Sequence, residues 1–384
     1  MDERVRGGKM KKIMIVFGTR PEAIKMCPLI KELEKHPHFQ TIVCVTGQHR
    51  QMLDQVLEVF QIQPDYDLNI MKEKQTLADV TSNVLDELTP ILAAEQPNIV
   101  LVHGDTTTTY ATSLASFYQQ IDVGHIEAGL RTYDLTSPYP EEFNRQSVSL
   151  MAKYHFAPTQ KALNNLISEG KSVDNVYITG NTAIDALNYT ISNNYQSTLL
   201  QELNNKKIIL LTAHRRENLG QPMKQMFQAV KKIAEKNKDV AIIYPMHLNP
   251  QVRKLAKEIL GNQERVRLIE PLDVFDFQNL LARSYLVLTD SGGIQEEAPA
   301  LNIPVLVMRE TTERPEGVES GTLKLVGTDE KTIYQSCQNL LDNEEAYQKM
   351  ATAINPYGDG TASKKYVIFW RKNYNEKSIN LWNV

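Results

Sequence analysis

The stretch that decides the fold is LVHGDTTTTYATSLASFYQQIDVGHIEAGLRTYDLTSPYPEEFNRQ, residues 101–146. The apolar run Ile99–Val102, which ends inside this stretch, predicts a buried parallel strand. Asp105 stands at the end of that strand. A second short strand, Asp122–Ile126, ends on Glu127. Because the carboxyl ends of parallel strands face the ligand crevice of an open α/β sheet, both acids are candidates for a functional site.

A third position for acids follows at a predicted helix start. Pro140 marks the N-terminus of a helix and is followed by Glu141 and Glu142. Acids placed in this way can pair with a base or a sugar hydroxyl, and burial can raise their pKa into the range of proton transfer. A plainer interpretation stays open for Asp105, which could simply cap the helix that begins near Thr106. Several such acids at successive strand ends favour a site.

The rest of the chain continues the alternation of strands and helices. This pattern predicts an α/β fold with two doubly wound parallel sheets and right-handed crossovers. At 384 residues the chain is long enough for two domains, and the polar stretch 192–205 is a candidate linker. The predicted strands are Lys12–Phe17, Thr41–Thr46, Ile99–Val102, Asp122–Ile126, Tyr154–Ala157 and Val176–Thr179, then Lys207–Thr212, Val240–Pro245, Arg265–Ile269, Tyr285–Thr289 and Pro304–Val307.

Composition excludes several classes of protein. The formal net charge of -4 argues against a general nucleic-acid binder, and no apolar run approaches the ~20 residues that span a bilayer. The N-terminal segment MDERVRGGKMKK lacks the apolar core of a signal peptide, so we expect a cytoplasmic protein without membrane contact. Cys27, Cys44 and Cys337 are widely spaced in apolar contexts and are interpreted as reduced core thiols, with no metal site.

The first predicted strand leads into a candidate anion site. Gly18-Thr19-Arg20-Pro21-Glu22 combines a glycine turn with a helix start, where backbone N–H groups are free. Arg20 and Lys25 could reach the same phosphate or carboxylate. Alternatively, Arg20 pairs with Glu22 and Lys25 is solvated. No GxGxxG motif follows this strand, so a nicotinamide cofactor is not supported.

The second half carries the sharpest single motif, LTDSGGIQEEA at residues 288–298. The Ser291-Gly292-Gly293 turn would allow the backbone to approach a pyrophosphate closely, and Glu297 is placed to accept hydrogen bonds from ribose hydroxyls. His214 and His247 stand at two other strand ends, although a structural histidine is the commoner explanation for either one alone. The polar loop at residues 309–316 is either a rim of the crevice or a salt-bridged surface turn.

Together these motifs resemble those of the bacterial non-hydrolysing UDP-N-acetylglucosamine 2-epimerases. The resemblance extends from Lys11 to Gly360 and rests on FGTRPEAIK, TGQHRQMLDQV, LVHGDTTTT, GHIEAGLRT, SPYPEEFNR, TGNTAIDAL, TAHRRENLG, YPMHLNP, LTDSGGIQEEAP, MRETTERPEGV and NPYGDG. It implies two Rossmann-like domains of the glycosyltransferase-B type with the active site in the interdomain cleft. It also implies interconversion of UDP-N-acetylglucosamine and UDP-N-acetylmannosamine without a cofactor, by a homodimer that supplies N-acetylmannosamine units for cell-surface polysaccharide.

The resemblance assigns roles to individual positions. The implied catalytic residues are Asp105, Glu127, Glu141, His214, Arg20 and Lys25. The implied UDP-binding residues are Arg20, Lys25, His214, Ser291, Gly292, Gly293 and Glu297. A second UDP-N-acetylglucosamine would bind as an allosteric activator at Gln48, Gln51, Lys74, Glu141, Arg215 and His247. Lys74 stands where those relatives usually have Arg, and a lysine does not reproduce a bidentate fork.

The implied reaction is elimination of UDP to give 2-acetamidoglucal, followed by re-addition, and the resemblance leaves open which carboxylate takes the C2 proton. The implied domains are residues 10–190, carrying the carboxylates, and 191–360, binding UDP. Residues 361–384 are expected to form a partial helix that packs back on the first domain, although this segment departs from the family's amphipathic pattern. Two other functions stay open: a glycosyltransferase of the same fold that uses a UDP-sugar donor, and a non-catalytic nucleotide-sugar sensor.

Overall fold

The computed structural model describes residues 10–48, 50–72, 75–203 and 205–374. The chain forms two compact units. Unit 1 takes the chain up to Ala186 and again from Gly360, and unit 2 comprises Leu187–Asp359.

Unit 1 is built on a seven-stranded sheet in the order β3-β2-β1-β4-β5-β6-β7, and every pairing in it is parallel. Its strands are β1 (Lys11–Phe17), β2 (Phe39–Val45), β3 (Tyr66–Asp67), β4 (Ile99–His103), β5 (Val123–Ile126), β6 (Tyr154–Ala157) and β7 (Val176–Ile178). Its helices are α1 (Arg20–Leu33), α2 (Arg50–Val59), α3 (Leu77–Glu95), α4 (Thr107–Tyr118), α5 (Glu141–Met151), α6 (Gln160–Ser168) and α7 (Thr182–Thr190), the last of which crosses into unit 2.

Unit 2 repeats the plan with a six-stranded parallel sheet in the order β10-β9-β8-β11-β12-β13. Its strands are β8 (Lys207–Thr212), β9 (Val240–Pro245), β10 (Val266–Ile269), β11 (Leu286–Thr289), β12 (Val305–Val307) and β13 (Leu323–Leu325). Its helices are α8 (Thr198–Glu202), α9 (Gln221–Lys236), α10 (Pro250–Leu260), α11 (Val274–Leu281), α12 (Ile294–Ala300), α13 (Pro315–Glu319), α14 (Glu330–Asp342) and α15 (Glu344–Ala351).

The predicted fold class is confirmed in both units. All eleven predicted strands are present, and their ends differ from the prediction by two residues at most. Two strands were missed, β3 and β13, because two or three residues at a sheet edge carry no hydrophobic pattern. The central strands are apolar throughout, since helices cover both faces of a parallel sheet: Ile13 to Phe17 in β1 are fully buried.

The last helix, α16 (Ala362–Tyr374), belongs to unit 1. The rings of Tyr366, Phe369 and Trp370 pack around Phe156 of β6 with centroid distances of 4.7, 5.2 and 5.7 Å. The buried carboxylate of Asp185 accepts hydrogen bonds from the first N–H groups of the helix, at Ala362 and Ser363. Residues 375–384, the end of the segment expected to pack back on the first domain, lie outside the described residues.

No helix in the described ranges combines the length and the apolar character that crossing a membrane requires.

Candidate functional site

Glu127 follows β5 and occupies the centre of the polar cluster in unit 1. Its carboxylate forms an ion pair with Lys25 of α1 and accepts a hydrogen bond from Asn181 Nδ2 at 2.8 Å. The carboxylate also lies against Gly104, where an added Cβ would come 3.7 Å from Glu127 Oε1. The backbone of Glu127 adopts the left-handed region at φ 61°, a conformation that costs free energy in a non-glycine residue and is common at functional sites. The interpretation of Lys25 as a solvated residue is therefore wrong.

Asp105 lies at the end of β4, next to this cluster. Its carboxylate receives a hydrogen bond of 2.5 Å from Arg145 Nη2 of α5. Burial raises the pKa of Asp105, the charge of Arg145 lowers it, and the charges of Glu127 and Glu141 raise it further. The three predicted carboxylates are therefore close enough for their charges to act on one proton equilibrium.

The plainer interpretation of Asp105 as a helix cap is wrong. The N-cap of α4 is Thr106, whose hydroxyl accepts the N–H of Thr109 at 3.0 Å. The carboxylate of Asp105 is directed to Arg145 instead.

The turn between β1 and α1 is fixed by Glu22. Thr19 caps α1 in a reciprocal capping box with Glu22. The carboxylate of Glu22 is buried and accepts N–H groups of Gly18 and Thr19 and the hydroxyl of Thr106. Burial raises the pKa of Glu22. The alternative pairing of Arg20 with Glu22 is wrong, and within the described part of the chain the exposed Arg20 forms no ion pair.

In unit 2, Asp290 at the end of β11 organises the polar residues. Its fully buried carboxylate accepts the N–H groups of His214 and Arg215, each at 2.9 Å, and Asn218 Nδ2 at 3.2 Å. The ring of His214 places Nδ1 3.3 Å from Asp290 Oδ1 and stacks on the ring of His247 at a centroid distance of 5.5 Å. Burial lowers the pKa of His214, which opposes the raising effect of Asp290. The two histidines found on separate strand ends thus form one pair.

The glycine turn follows Asp290 directly. The N–H of Ser291 is taken by Thr289 Oγ1 at 2.9 Å, whereas the N–H groups of Gly292 and Gly293 form no hydrogen bond within the described part of the chain. The guanidinium of Arg314 lies beside the turn, because an added Cβ at Gly292 would come 2.7 Å from Arg314 Nη1. Two free amides and an adjacent cation form an arrangement that suits a diphosphate.

The other predicted residues have the following places. Glu297 accepts a hydrogen bond from Gln278 Nε2 at 3.3 Å, and Gln48 accepts one from the Thr108 hydroxyl at 3.1 Å. Arg215 contacts Glu313 at 3.0 Å. Glu141 opens α5. The side chain of Gln51 and the whole of Lys74 lie outside the described residues.

Sequence reasoning missed four residues that hold the predicted ones in place. These are Arg145 on Asp105, Asn181 on Glu127, Asp290 under His214, and Arg314 beside Gly292. Asn181 and Asp290 stand inside motifs that were recognised, TGNTAIDAL and LTDSGGIQEEAP, and the polar side chain following a buried strand was a usable signal for both. Arg145 lies in a helix among other polar residues, so only its contact with Asp105 in the folded chain identifies it as a site residue.

Among the described residues, no group of three His, Cys, Asp or Glu side chains could hold a metal ion.

Two doubly wound parallel sheets, with grouped acids at the strand ends of one and a glycine turn beside paired histidines in the other, define a nucleotide-sugar protein of the glycosyltransferase-B type. The comparisons with known proteins narrow this class. The family model described as UDP-N-acetylglucosamine 2-epimerase matches residues 31–369. The chain belongs to the UDP-N-acetylglucosamine 2-epimerase family.

Individual relatives support this assignment. The UDP-N-acetylglucosamine 2-epimerase of Bacillus subtilis is 59% identical over 359 residues, which cover 94% of both chains. A crystal structure of a putative UDP-N-acetylglucosamine 2-epimerase from Listeria monocytogenes matches with a TM-score of 0.93 at 54% identity, covering 97% of this chain and 98% of that one. The Neisseria meningitidis enzyme, solved bound to UDP-GlcNAc, matches with a TM-score of 0.85 at 51% identity, covering 94% of this chain and 100% of that one. The family assignment favours epimerisation over glycosyl transfer.

The three buried histidines of the unit 1 sheet predict acid sensitivity. Burial lowers the pKa of His103 to about 4 and of His125 and His155 to about 3, so the folded protein keeps them neutral. The unfolded chain protonates each near pH 6.5, so stability is lost as the pH falls below that value. Each histidine should lower the free energy of unfolding of unit 1 by about 2 kcal/mol between pH 7 and pH 5.

Urea unfolding of the wild type and of His155→Gln at pH 7 and pH 5 measures how much of the loss in the free energy of unfolding is due to His155. The variant should lose about 2 kcal/mol less than the wild type on acidification. His38→Gln, at an exposed position, is the matched control and should follow the wild type. Equal acid sensitivity of His155→Gln and the wild type would contradict the buried neutral state.

Proposed function

We propose that the protein catalyses the reversible epimerisation at C2 of UDP-N-acetylglucosamine to UDP-N-acetylmannosamine. The observation that carries the proposal is the grouping of Glu127 and Glu141 around Asp105 in unit 1, where the charges of both raise the pKa of Asp105. Inverting a carbon centre requires removal of a proton on one face and its return on the other, which calls for at least two acid/base groups. The Neisseria meningitidis relative, solved with UDP-GlcNAc, supports the choice of substrate.

The chemistry favours elimination over simple deprotonation. The C2 hydrogen of the sugar is not next to a carbonyl, so a carbanion at C2 would lack stabilisation. If UDP departs from C1 while a carboxylate takes the C2 proton, the electron pair of the C–H bond forms the C1–C2 double bond of 2-acetamidoglucal. Re-addition of UDP, with the proton returned on the opposite face, gives the epimer.

The two units divide the work in this proposal. Unit 1 supplies the acid/base carboxylates together with Arg20 and Lys25, and unit 2 holds UDP. The amides of Gly292 and Gly293, with His214, stabilise the charge that develops on the leaving diphosphate. Glu297 holds the ribose. Nothing in this sequence of steps requires a cofactor or an acceptor substrate.

Turnover in heavy water tests the proposal. Purified protein with UDP-N-acetylglucosamine alone should form UDP-N-acetylmannosamine, and the product should carry deuterium at C2. Absence of conversion would reject the epimerase. Conversion without deuterium at C2 would reject proton removal from that carbon. Release of free sugar or a demand for an acceptor would instead indicate hydrolysis or glycosyl transfer.

Neutral versions of the three acids should be strongly impaired. Asp105→Asn, Glu127→Gln and Glu141→Gln remove a proton-transfer group or its electrostatic neighbour, so kcat should fall by about 10²- to 10⁴-fold. UDP binding, measured by calorimetry, should stay close to that of the wild type. Asp122→Asn, which loses only the exposed ion pair to Lys153, is the control and should retain full activity. Near-normal kcat in all three variants would exclude an acid/base role for these carboxylates.

We further propose that a second UDP-N-acetylglucosamine activates the enzyme at Gln48, Gln51, Lys74, Glu141, Arg215 and His247. Arg215 follows His214 in the chain and shares its partner Asp290, and His247 stacks on the ring of His214. A ligand bound to Arg215 and His247 would therefore lie beside His214, which supports the proposal. An arginine at position 74 would add a bidentate contact to a phosphate.

Lys74→Arg should therefore lower the UDP-N-acetylglucosamine concentration for half-activation by about 3- to 10-fold. The measurement follows conversion of UDP-N-acetylmannosamine with increasing traces of UDP-N-acetylglucosamine. Lys72→Arg is the nearby control and should leave that concentration unchanged. An equal shift in both variants would argue against a specific contact at position 74.

We also propose that the protein is a homodimer formed through α4 and α5. These helices expose an apolar stripe: Phe117 is 57%, Phe143 45% and Leu150 80% exposed, and Tyr110 packs on Phe143 at 5.7 Å. The residues recur at a spacing of seven on each helix, which aligns them along one face. A contiguous exposed apolar face of this kind marks a protein contact.

Leu150→Asp should convert the dimer to a monomer, because it buries a charge in the contact. Light scattering coupled to size exclusion measures the mass. Ile354→Asp, at an equally exposed apolar position in unit 2, should stay dimeric. A wild-type protein that is monomeric at micromolar concentration would reject the dimer.

A further inference from the structure

One oxygen of Glu127, Oε2, is approached by three polar side chains. Lys25 forms the ion pair, Asn181 donates at 2.8 Å, and His103 Nε2 lies at 3.7 Å. The third distance is just beyond hydrogen-bond range. The proposed reaction uses Glu127 and Lys25 but gives His103 no task.

His103 is buried, and among the described residues its Nε2 atom has no hydrogen-bond partner. A buried polar atom without a partner costs free energy, so its retention calls for an explanation. His103 is the last residue of β4, and its carbonyl accepts the Thr109 hydroxyl at 2.6 Å, which fixes the backbone beside the ring. An approach of about 0.5 Å by the Glu127 carboxylate would bring Oε2 within hydrogen-bond distance of Nε2.

We propose that His103 is a positioning residue for the epimerisation, and that its Nε2 atom accepts a hydrogen bond from the protonated carboxyl of Glu127. The proposal rests on the proposed function. When Glu127 takes the C2 proton, the C2–H bond breaks and its electron pair forms the C1–C2 double bond as the C1–O bond to UDP breaks. The proton is then on Oε2, the charge attraction to Lys25 is lost, and the new O–H donates to the neutral imidazole.

The charges around the pair fit this role. Burial lowers the pKa of His103 to about 4, the charge of Glu127 opposes this shift, and the charge of Lys25 adds to it. The imidazole thus accepts a hydrogen bond without taking the proton, which stays on Glu127 while a second acid delivers a proton to the opposite face of C2. Glu127 itself is faced by Lys25, His103, His125, Asp105 and the Tyr366 hydroxyl.

A pair of amide variants tests the assignment. In His103→Gln the amide reaches about as far as Nε2 and its oxygen can accept the hydrogen bond, whereas the shorter amide in His103→Asn falls short of Glu127. We expect kcat of His103→Asn to fall about 10- to 100-fold with little change in KM, and His103→Gln to recover most of the loss. His155→Asn, at a buried histidine of β6 away from Glu127, is the matched control and should keep the wild-type kcat.

The pH profile separates positioning from a merely structural role. Loss of an acceptor for the acid form lowers the pKa of Glu127, so the acidic limb of kcat/KM should move to lower pH in His103→Asn and return in His103→Gln. Movement to higher pH would mean that His103 instead donates to the carboxylate, and would overturn the proposal. Equal losses in both variants, or a wild-type kcat in His103→Asn, would overturn it as well.

Two further results keep the outcomes distinct. An inactive wild type would reject the proposed function itself, whereas an active wild type with an unaffected His103→Asn rejects only the role of His103. If circular dichroism shows that either variant fails to fold, ¹⁵N NMR spectra of the wild-type protein test the role of His103 instead. The His103 Nε2 resonance should change on addition of UDP-N-acetylglucosamine to that of a hydrogen-bonded acceptor, and an unchanged resonance would overturn the proposal.

Discussion

Unit 1 depends on the ion pair between Glu127 and Lys25. It places a positive charge beside a largely buried carboxylate, which offsets the desolvation that burial imposes on the ionised form. The left-handed backbone at Glu127 is held by the ladder on both sides, since Gly104 donates to Ile126 and Ala128 donates to Phe156. The sheet therefore fixes the carboxylate before any ligand arrives, which is the condition for electrostatic preorganisation.

The same balance of burial against compensating charge recurs at Asp105. Arg145 offsets the effect of burial, while the neighbouring acids oppose ionisation. A group held between these influences can change protonation state without a large change in structure, which is what an acid/base residue needs. Glu22 is also buried, but its carboxylate is occupied by hydrogen bonds from Gly18, Thr19 and Thr106, and it joins two turns of the sheet.

In unit 2 the central carboxylate has a structural role, in contrast to the acid/base carboxylates proposed for unit 1. Asp290 is buried completely and is surrounded by N–H donors, so it orders the loop that carries His214 and Arg215. Within the part of the chain that the structure describes, no hydrogen bond occupies the amides of the following glycines. One unit thus presents acids and the other presents donors, which agrees with the division between proton transfer and diphosphate binding that we propose.

The sequence by itself determined the two parallel sheets, because apolar strands alternating with amphipathic helices leave few other ways to bury the chain. It also singled out Asp105, Glu127 and the glycine turn, since polar residues that follow buried strands collect at one edge of a sheet. The motifs were specific enough to indicate the family. The edge strands β3 and β13 were not predicted, because strands of two or three residues are too short to show a hydrophobic periodicity.

Only the tertiary structure decided which side chains pair. That Arg145 would meet Asp105, that Asn181 and His103 would approach Glu127, and that His214 would stack on His247 follows from strand order and register across residues far apart in the chain. The protonation behaviour of the buried groups was also decided there, because desolvation and neighbouring charge are properties of a position in space and leave no local trace in the sequence.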